Sequence, residues 1–566
     1  MRTLIISCLA LAVAAGCAPK QQEVRTPEAG QDAPVVADSL ESIEVFGSRR
    51  KAQERDAMVS SAVAMPPSAT TGLVAPQQVQ YAQAPAEANT ERYSEFEDNG
   101  ITRAADQPVS TFSIDVDTGS YSNVRRMLAQ GQLPPKDAVR VEEMINYFDY
   151  GYARPANRSQ PFRVDTALAP APWDAKRLLM RVGVQGYDVE RREIPASNLV
   201  FLIDTSGSMA DADKLPLLKE SFRQLVPRLR EQDRVSIVVY AGSAGLVLAP
   251  TPGDRHDLIL AALDRLEAGG ATNGGEGIEL AYATAQQAFI RGGVNRVVMA
   301  TDGDFNVGIH DPRALETRVE RGRGAGIALT TLGFGQGNYN DALAERLADV
   351  GDGNHAYIDS LMEGRKVLVE EMSSTLLTIA SDVKIQVEFN PATVAEYRLI
   401  GYENRRLARE DFNNDRVDAG EIGAGHDVTA IYELCLVGGG CDASDPLRYG
   451  RPAKPAARGD ELAHLKLRYK RPGQDNSVLL DRPVTRGEIA TTANESLRFA
   501  TAVAAYADLL RGGAHSQGYT WSQVEALARG AVGDDPWGYR GEFLRMVSQA
   551  RSLSVASDPR VAISQE

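Results

Sequence analysis

Apolar runs alternate with amphipathic stretches between residues 197 and 381. The runs LVFLI (199–203), RVSIVVY (234–240), RVVMAT (296–301) and IALTTLGF (327–334) are short and almost continuously apolar, as strands buried on both faces are. The stretches between them follow the helical period. In DKLPLLKESFRQLVPRL, Leu215, Leu218, Phe222, Leu225 and Leu229 fall three or four apart. Helices are also predicted over 255–266, 273–290, 311–326, 339–350 and 363–380, a strand over 354–359, and an edge strand at GLVLAP (245–250). This alternation predicts an α/β fold, a doubly wound, mostly parallel sheet with helices on both faces.

The pattern differs on either side. Before residue 197, TFSIDVDTGSYSNVRRMLAQG predicts a strand, a turn and a helix from about Ser120. PKDAVRVEEMINYFDY predicts a second helix with Val139, Met144, Ile145 and Phe148 on one side, and FRVDTALAPAPW and RLLMRVGVQGY alternate as strands do. After residue 382, KIQVEFN, EYRLIGYE, HDVTAIYELCLV, AHLKLRYKR and SVLLDRPV read as antiparallel strands. From about Asn494 the helical period returns, with Phe499, Val503, Tyr506 and Leu510 on one face. The expected order is a leader (1–17), a disordered tether (18–95), an N-terminal domain (96–196), the α/β domain (197–381), a β-rich domain (382–490) and a helical region (491–566). The strands before and after the α/β domain are expected to pair into one sandwich, with that domain inserted between them.

The N-terminus sets the compartment. MRTLIISCLALAVAAGC has a basic Arg2, an apolar stretch from Leu4 to Val13 and small residues up to Cys17. That stretch is shorter than the roughly 20 residues of a spanning helix and reads as a secretory leader. Its ending, AAGC, resembles a bacterial lipobox, with Ala14 a departure from the usual leucine. The resemblance implies lipidation at Cys17, and Ala18 resembles the residue of proteins sent on to the outer membrane; the expected location is the bacterial envelope, on the periplasmic side of that membrane. The segment after it is rich in Ala, Pro, Gln and Glu and cannot bury enough apolar surface to fold alone. Beyond the leader, the cysteines Cys435 and Cys441 flank LVGGG; an oxidising compartment favours a local disulfide over two free thiols. With 61 basic against 76 acidic residues, the net charge of −15 argues against nucleic acid as a partner.

The chemistry collects at predicted strand ends. FLIDTSGS places Asp204, Ser206 and Ser208 at alternate positions after the first α/β strand; GGATNGG offers Thr272 before a helix, and MATDGD offers Asp302 after a later strand. Hydroxyls and carboxylates without thiolate or clustered imidazole suit magnesium, manganese or calcium. These five residues, in this strand order, resemble the metal-ion-dependent adhesion site of von Willebrand factor type A domains. The flanking segments resemble those of bacterial lipoproteins that carry this domain between an associated N-terminal segment and a C-terminal domain of unknown function. The resemblance implies a bound divalent cation, magnesium in the first place, whose sphere is completed by an aspartate or glutamate of a protein partner. It implies binding rather than catalysis, and no catalytic residue is assigned.

Two other strings invite chemistry. FSIDVDTGS (112–120) has the Asp-Thr-Gly turn of an aspartic protease, and FLIDTSGS nearly repeats it. Two such aspartates would have to share a proton, yet Ser206 stands where the second turn needs glycine. DFNNDRVDAGE (411–421) opens like a calcium loop, but Arg416 occupies the glycine position and Ile422 that of the bidentate glutamate. The rival readings are a metal-dependent or aspartic-type hydrolase, and a structural envelope protein whose site is unused.

Overall fold

A computed structural model describes Tyr93 and residues 95–556, except 115–116, 271–273, 304–311, 337–339, 372–375, 416, 418, 442–458, 475 and 517. Cys17, the tether up to residue 92 and Thr272 thus lie outside the described residues.

The N-terminal flank contributes β1 (Thr102–Arg103), β2 (Val109–Ser113), α1 (Gly119–Ala129), α2 (Val141–Asn146), β3 (Phe162–Pro170) and β4 (Arg177–Gly186). The inserted domain follows: β5 (Ser197–Asp204), α3 (Leu215–Leu225), β6 (Arg234–Tyr240), β7 (Ala244–Pro252), α4 (His256–Asp264) and α5 (Gly274–Gln287). It continues through β8 (Val294–Thr301), α6 (Pro312–Gly324), β9 (Ala328–Phe334), α7 (Asp341–Val350), β10 (His355–Ile358) and α8 (Leu361–Arg365). Its sheet has the order β10-β9-β8-β5-β6-β7, parallel except for the edge strand β7. Every residue of the central strand β5 is buried. Side chains alternate across it: Leu199, Phe201 and Ile203 pack with α3 and α4, while Val200 and Leu202 pack with residues of α5 and α6. This double coverage is why β5 is apolar throughout.

The chain returns through β11 (Thr378–Phe389), β12 (Val394–Ile400), β13 (Ile422–Gly423), β14 (Asp427–Leu436), β15 (Glu461–Lys470) and β16 (Ser477–Thr485). Strands from before and after the insertion pair directly. β4 lies against β14, with Met180 opposite Tyr432, and β2 lies against β11, with Phe112 opposite Ile385. One sheet runs β1-β12-β14-β4-β3 and the other contains β13-β11-β15-β16 with β2 beside β11. A shared core that includes Phe112, Met180, Ile385, Tyr432 and Leu465 fills the space between them. Residues 96–196 and 382–490 therefore supply strands to the same two sheets. Helices α9 (Glu495–Arg511), α10 (Trp521–Arg529) and α11 (Tyr539–Ala556) join α1 and α2 over the outer face of the first sheet, around Tyr121, Phe148, Phe499, Tyr506 and Phe543. Cys435 and Cys441 form a disulfide at the end of β14, with a Cα–Cα distance of 5.8 Å.

Two predicted helices are shorter than their patterns. The segment PKDAVRVEEMINYFDY forms a 3-10 turn at Lys136–Ala138 and then α2, because Val139 and Arg140 are extended. There the Arg140 amide donates to Ser120 Oγ at 2.9 Å and its guanidinium reaches Glu345 at 2.6 Å, contacts a continuous helix would not allow. The helix expected over 363–380 ends in a π turn, Lys366–Glu370, and the TIA that follows belongs to β11. Tertiary pairing overrides the helical period there: Thr378 and Ala380 lie opposite Gly423 and Ile422.

Candidate metal centre

In the order β10-β9-β8-β5-β6-β7, connections diverge between β5 and β8. A crevice opens at such a switch point, outside the carboxyl ends of the strands. Asp204 ends β5 and Asp302 follows β8, so both carboxylates sit at this place. The turn after β5 is shaped by its own oxygens. Asp204 Oδ1 accepts the Ser206 amide at 2.8 Å, which tucks the carboxylate beneath the loop. Ser206 and Ser208 bring their hydroxyl oxygens to 3.0 Å of each other. The neighbouring loop is fastened alongside, with the Gly207 amide donating to the Gly270 carbonyl at 3.0 Å and the Gly269 amide to the Thr205 carbonyl at 2.8 Å. Thr272, two residues beyond Gly270, is outside the described residues. On the other side Lys214 Nζ lies 3.1 Å from Asp302 Oδ2, both side chains buried.

Two buried carboxylates, Asp204 and Asp302, share the site with one ammonium, that of Lys214. Burial pushes the Asp204 carboxyl up to about 6; nearby Asp302 adds to this and the Ser206 amide opposes it. Burial first, and then the Asp204 charge, raises the hydroxyl of Tyr240 at the end of β6. A group of three or more His, Cys, Asp or Glu side chains able to hold a metal is absent among the described residues. An ion here would depend on the serine hydroxyls as well as carboxylates, a hard all-oxygen donor set that fits magnesium or manganese.

Comparison with known proteins identifies the domains. Residues 198–371 match the von Willebrand factor type A domain, residues 87–181 a segment described as von Willebrand factor, and residues 374–553 a region described as uncharacterized protein YfbK, C-terminal. The uncharacterized protein YfbK of Escherichia coli (strain K12) is 49% identical over 474 residues, 82% of this chain and 82% of that one. The chain belongs to the YfbK family. Its inserted domain is a von Willebrand factor type A domain, a class that serves in general for protein interaction or metal-dependent adhesion. Human inter-alpha-trypsin inhibitor heavy chain H3 is 26% identical over 258 residues, 42% of this chain and 28% of its own length. The magnesium-chelatase 60 kDa subunit of Rhodobacter capsulatus is 29% identical over 165 residues, 29% of each chain. Among solved structures, a von Willebrand factor type A protein from Catenulispora acidiphila covers 71% of this chain and 91% of itself, with a TM-score of 0.40 and 14% identity.

Both decoys have structural occupations in this YfbK-family chain. Asp117 of the DTGS turn accepts the His355 amide at 2.8 Å and pairs with Arg405 at 3.3 Å, so it ties the flank to the A domain. Asp204 instead accepts from the Ser206 amide and the Thr301 hydroxyl, so each aspartate has its own structural contacts. In the calcium-like loop, Asp415 Oδ1 accepts from Ser477 at 2.6 Å and from Arg468 at 2.9 Å, and Ile422 is buried in β13. Sequence reasoning missed Lys214 and Thr301. The Thr301 hydroxyl lies 3.5 Å from Asp204 Oδ2 and accepts the Gly303 amide at 3.0 Å. Thr301 was legible as the last residue of its strand, whereas no sequence signal marks Lys214, a single charge ahead of an apolar stripe.

Proposed function

We propose that this protein is an envelope-anchored binding module whose A domain holds a divalent cation, magnesium or manganese, with calcium as the weaker fit. Asp204, Ser206, Ser208, Thr272 and Asp302 are its ligands, directly or through water. The observation that carries this reading is the pair of serine hydroxyls 3.0 Å apart over buried Asp204, with Asp302 across the switch point. The ion supplies a positive centre at the rim that attracts an aspartate or glutamate side chain of a protein partner. The chain's residues do the positioning: the Asp204–Ser206 bond fixes the loop, and the Gly207–Gly270 bond fixes its neighbour. An open groove of about 660 Å³ beside the loop, lined by Met209, Pro216, Leu217, Leu266 and Leu361, offers apolar surface next to that centre.

The only cationic side chain described at the site, Lys214, is paired with Asp302, which favours binding over hydrolysis. The leader supports lipidation at Cys17 and an outer-membrane position facing the periplasm. The test is capture of a partner from envelope extract in magnesium and in EDTA, using wild type, Ser208→Ala and Asp302→Ala. Capture needs the metal and is lost with Asp302→Ala. Equal capture by both variants with the metal removed would overturn the reading.

A further inference from the structure

Lys214 is built into the site rather than passing by it. Its backbone is pinned just ahead of α3: its amide donates to the Asp211 carbonyl at 3.0 Å and its carbonyl accepts the Leu218 amide at 2.9 Å. Its stem runs inward past Gly335, just beyond β9. Gly335 has a φ of +73°, and a Cβ there would overlap Cγ, Cδ and Cε of Lys214. Glycine is thus required twice, for the left-handed turn and for the lysine's bed. The ammonium ends 3.1 Å from Asp302 Oδ2, with side-chain exposures of 6% and 1%. Its other carboxylate neighbour, Asp211, is 3.9 Å away and mostly exposed, so the surface contact contributes little.

We infer that Lys214 is an internal counter-cation that weakens metal binding and strengthens capture of the partner's carboxylate. This rests on the proposed metal reading. Asp204, Asp302, a divalent cation and the Lys214 ammonium sum to a single positive charge, which one incoming carboxylate neutralises. Without Lys214 the same set is neutral before the partner arrives. Two cations sharing the buried Asp302 also repel each other, because water screens them poorly there. With the metal absent, the ammonium keeps Asp302 paired and the crevice folded. The lysine therefore acts in opposite directions on the two binding steps, which a merely structural residue would not do.

The experiment uses the full chain with Mn²⁺ as metal probe and acetate as carboxylate probe. Free Mn²⁺ is followed by electron paramagnetic resonance, and acetate by relaxation of its methyl protons near bound Mn²⁺. Lys214→Met should tighten Mn²⁺ binding about tenfold or more, reduce the acetate relaxation effect, and lower the melting temperature in EDTA. Lys214→Arg, which keeps the charge, should keep wild-type Mn²⁺ binding; Lys214→Gln serves as the neutral variant if Lys214→Met does not fold. Ser208→Ala reports on the site itself. If wild type binds no Mn²⁺, the metal reading fails and this inference with it. If wild type binds Mn²⁺ and a folded neutral variant binds it no more tightly, the inference alone is overturned.

Discussion

Replacing Arg125 with methionine tests how the A domain is held to the rest of the chain. Arg125 lies on α1, in the flank. Its Nε donates to Asp359 at 2.7 Å, one terminal nitrogen to Glu363 at 2.7 Å, and the other to Glu542 at 2.8 Å and to the Tyr147 hydroxyl at 3.1 Å. Asp359 and Glu363 belong to the A domain and Glu542 to α11, so one buried guanidinium joins three parts of the fold. Methionine fills the stem's volume and leaves the carboxylates without that cation. Breaking a buried pair from one side costs about 3–5 kcal/mol, against at most about 1 kcal/mol for an exposed one. Urea unfolding of wild type and Arg125→Met at neutral pH measures the difference. The pH dependence gives a second readout. Burial already holds Asp359 and Glu542 above the ordinary carboxylate range while Arg125 opposes it, so the variant raises both further. The folded variant then takes up protons as pH falls through those raised values, before the unfolded chain does near about pH 4. The deficit is full at neutral pH and shrinks on acidification. A loss under about 1 kcal/mol, or one that grows as pH falls, would refute the reasoning.

Three further outcomes are expected. Ser208→Ala should lose the magnesium-dependent rise in melting temperature, which for wild type corresponds to about 2.7 kcal/mol at a hundredfold excess over Kd; in EDTA it should melt within about 0.5 kcal/mol of wild type, because the side chain is half-exposed. Cys17→Ser should abolish metabolic labelling with palmitate, and labelling that persists would sink the anchor. Cys435 and Cys441 should resist alkylation in denatured, non-reduced protein from the envelope, and their reduction should cost about 2 kcal/mol in unfolding free energy, given the short loop they close.

What was legible in the chain was local or periodic. The A-domain strands could be read because burial on both faces leaves near-continuous apolar runs. The stripe Leu215, Leu218, Phe222, Leu225, Leu229 is buried at every position, as its spacing required. The DTSGS turn was legible because Asp204, Ser206 and Ser208 are neighbours in sequence. Pairing across the insertion was accessible only as a guess: Phe112 meets Ile385 without any local signal. Two helices were overextended because an apolar period cannot reveal that Arg140 turns towards Glu345 or that Thr378 joins a sheet. Lys214 was invisible because its meaning lies in Asp302 and Gly335, both more than eighty residues away.

The placement of charge between the bodies bears on how the site works. The A domain closes its own cores on the two faces of its sheet, while the sandwich and the helices close theirs. Ion pairs are prominent among the described contacts that join them. Arg140 reaches Glu345 at 2.6 Å, Arg405 reaches Glu345 at 2.8 Å and Asp349 at 3.2 Å, and Arg126 lies over the Tyr357 ring at 5.5 Å. These contacts fall on α7 and β10, at one edge of the A-domain sheet. The same side approaches the proposed site, because Gln130, just after α1, hydrogen-bonds Gln336, the neighbour of the glycine that beds Lys214. Gly207 and Ala210, by contrast, are exposed at the mouth. Among the described residues, the flanks therefore brace the wall that holds the lysine, and Gly207 and Ala210 stay exposed. Such an arrangement holds Lys214 and Asp302 in place from behind, which is what the proposed capture of a partner at the opposite side would require. Because Arg125 and Arg140 are buried, this brace resists salt that would screen an exposed interface.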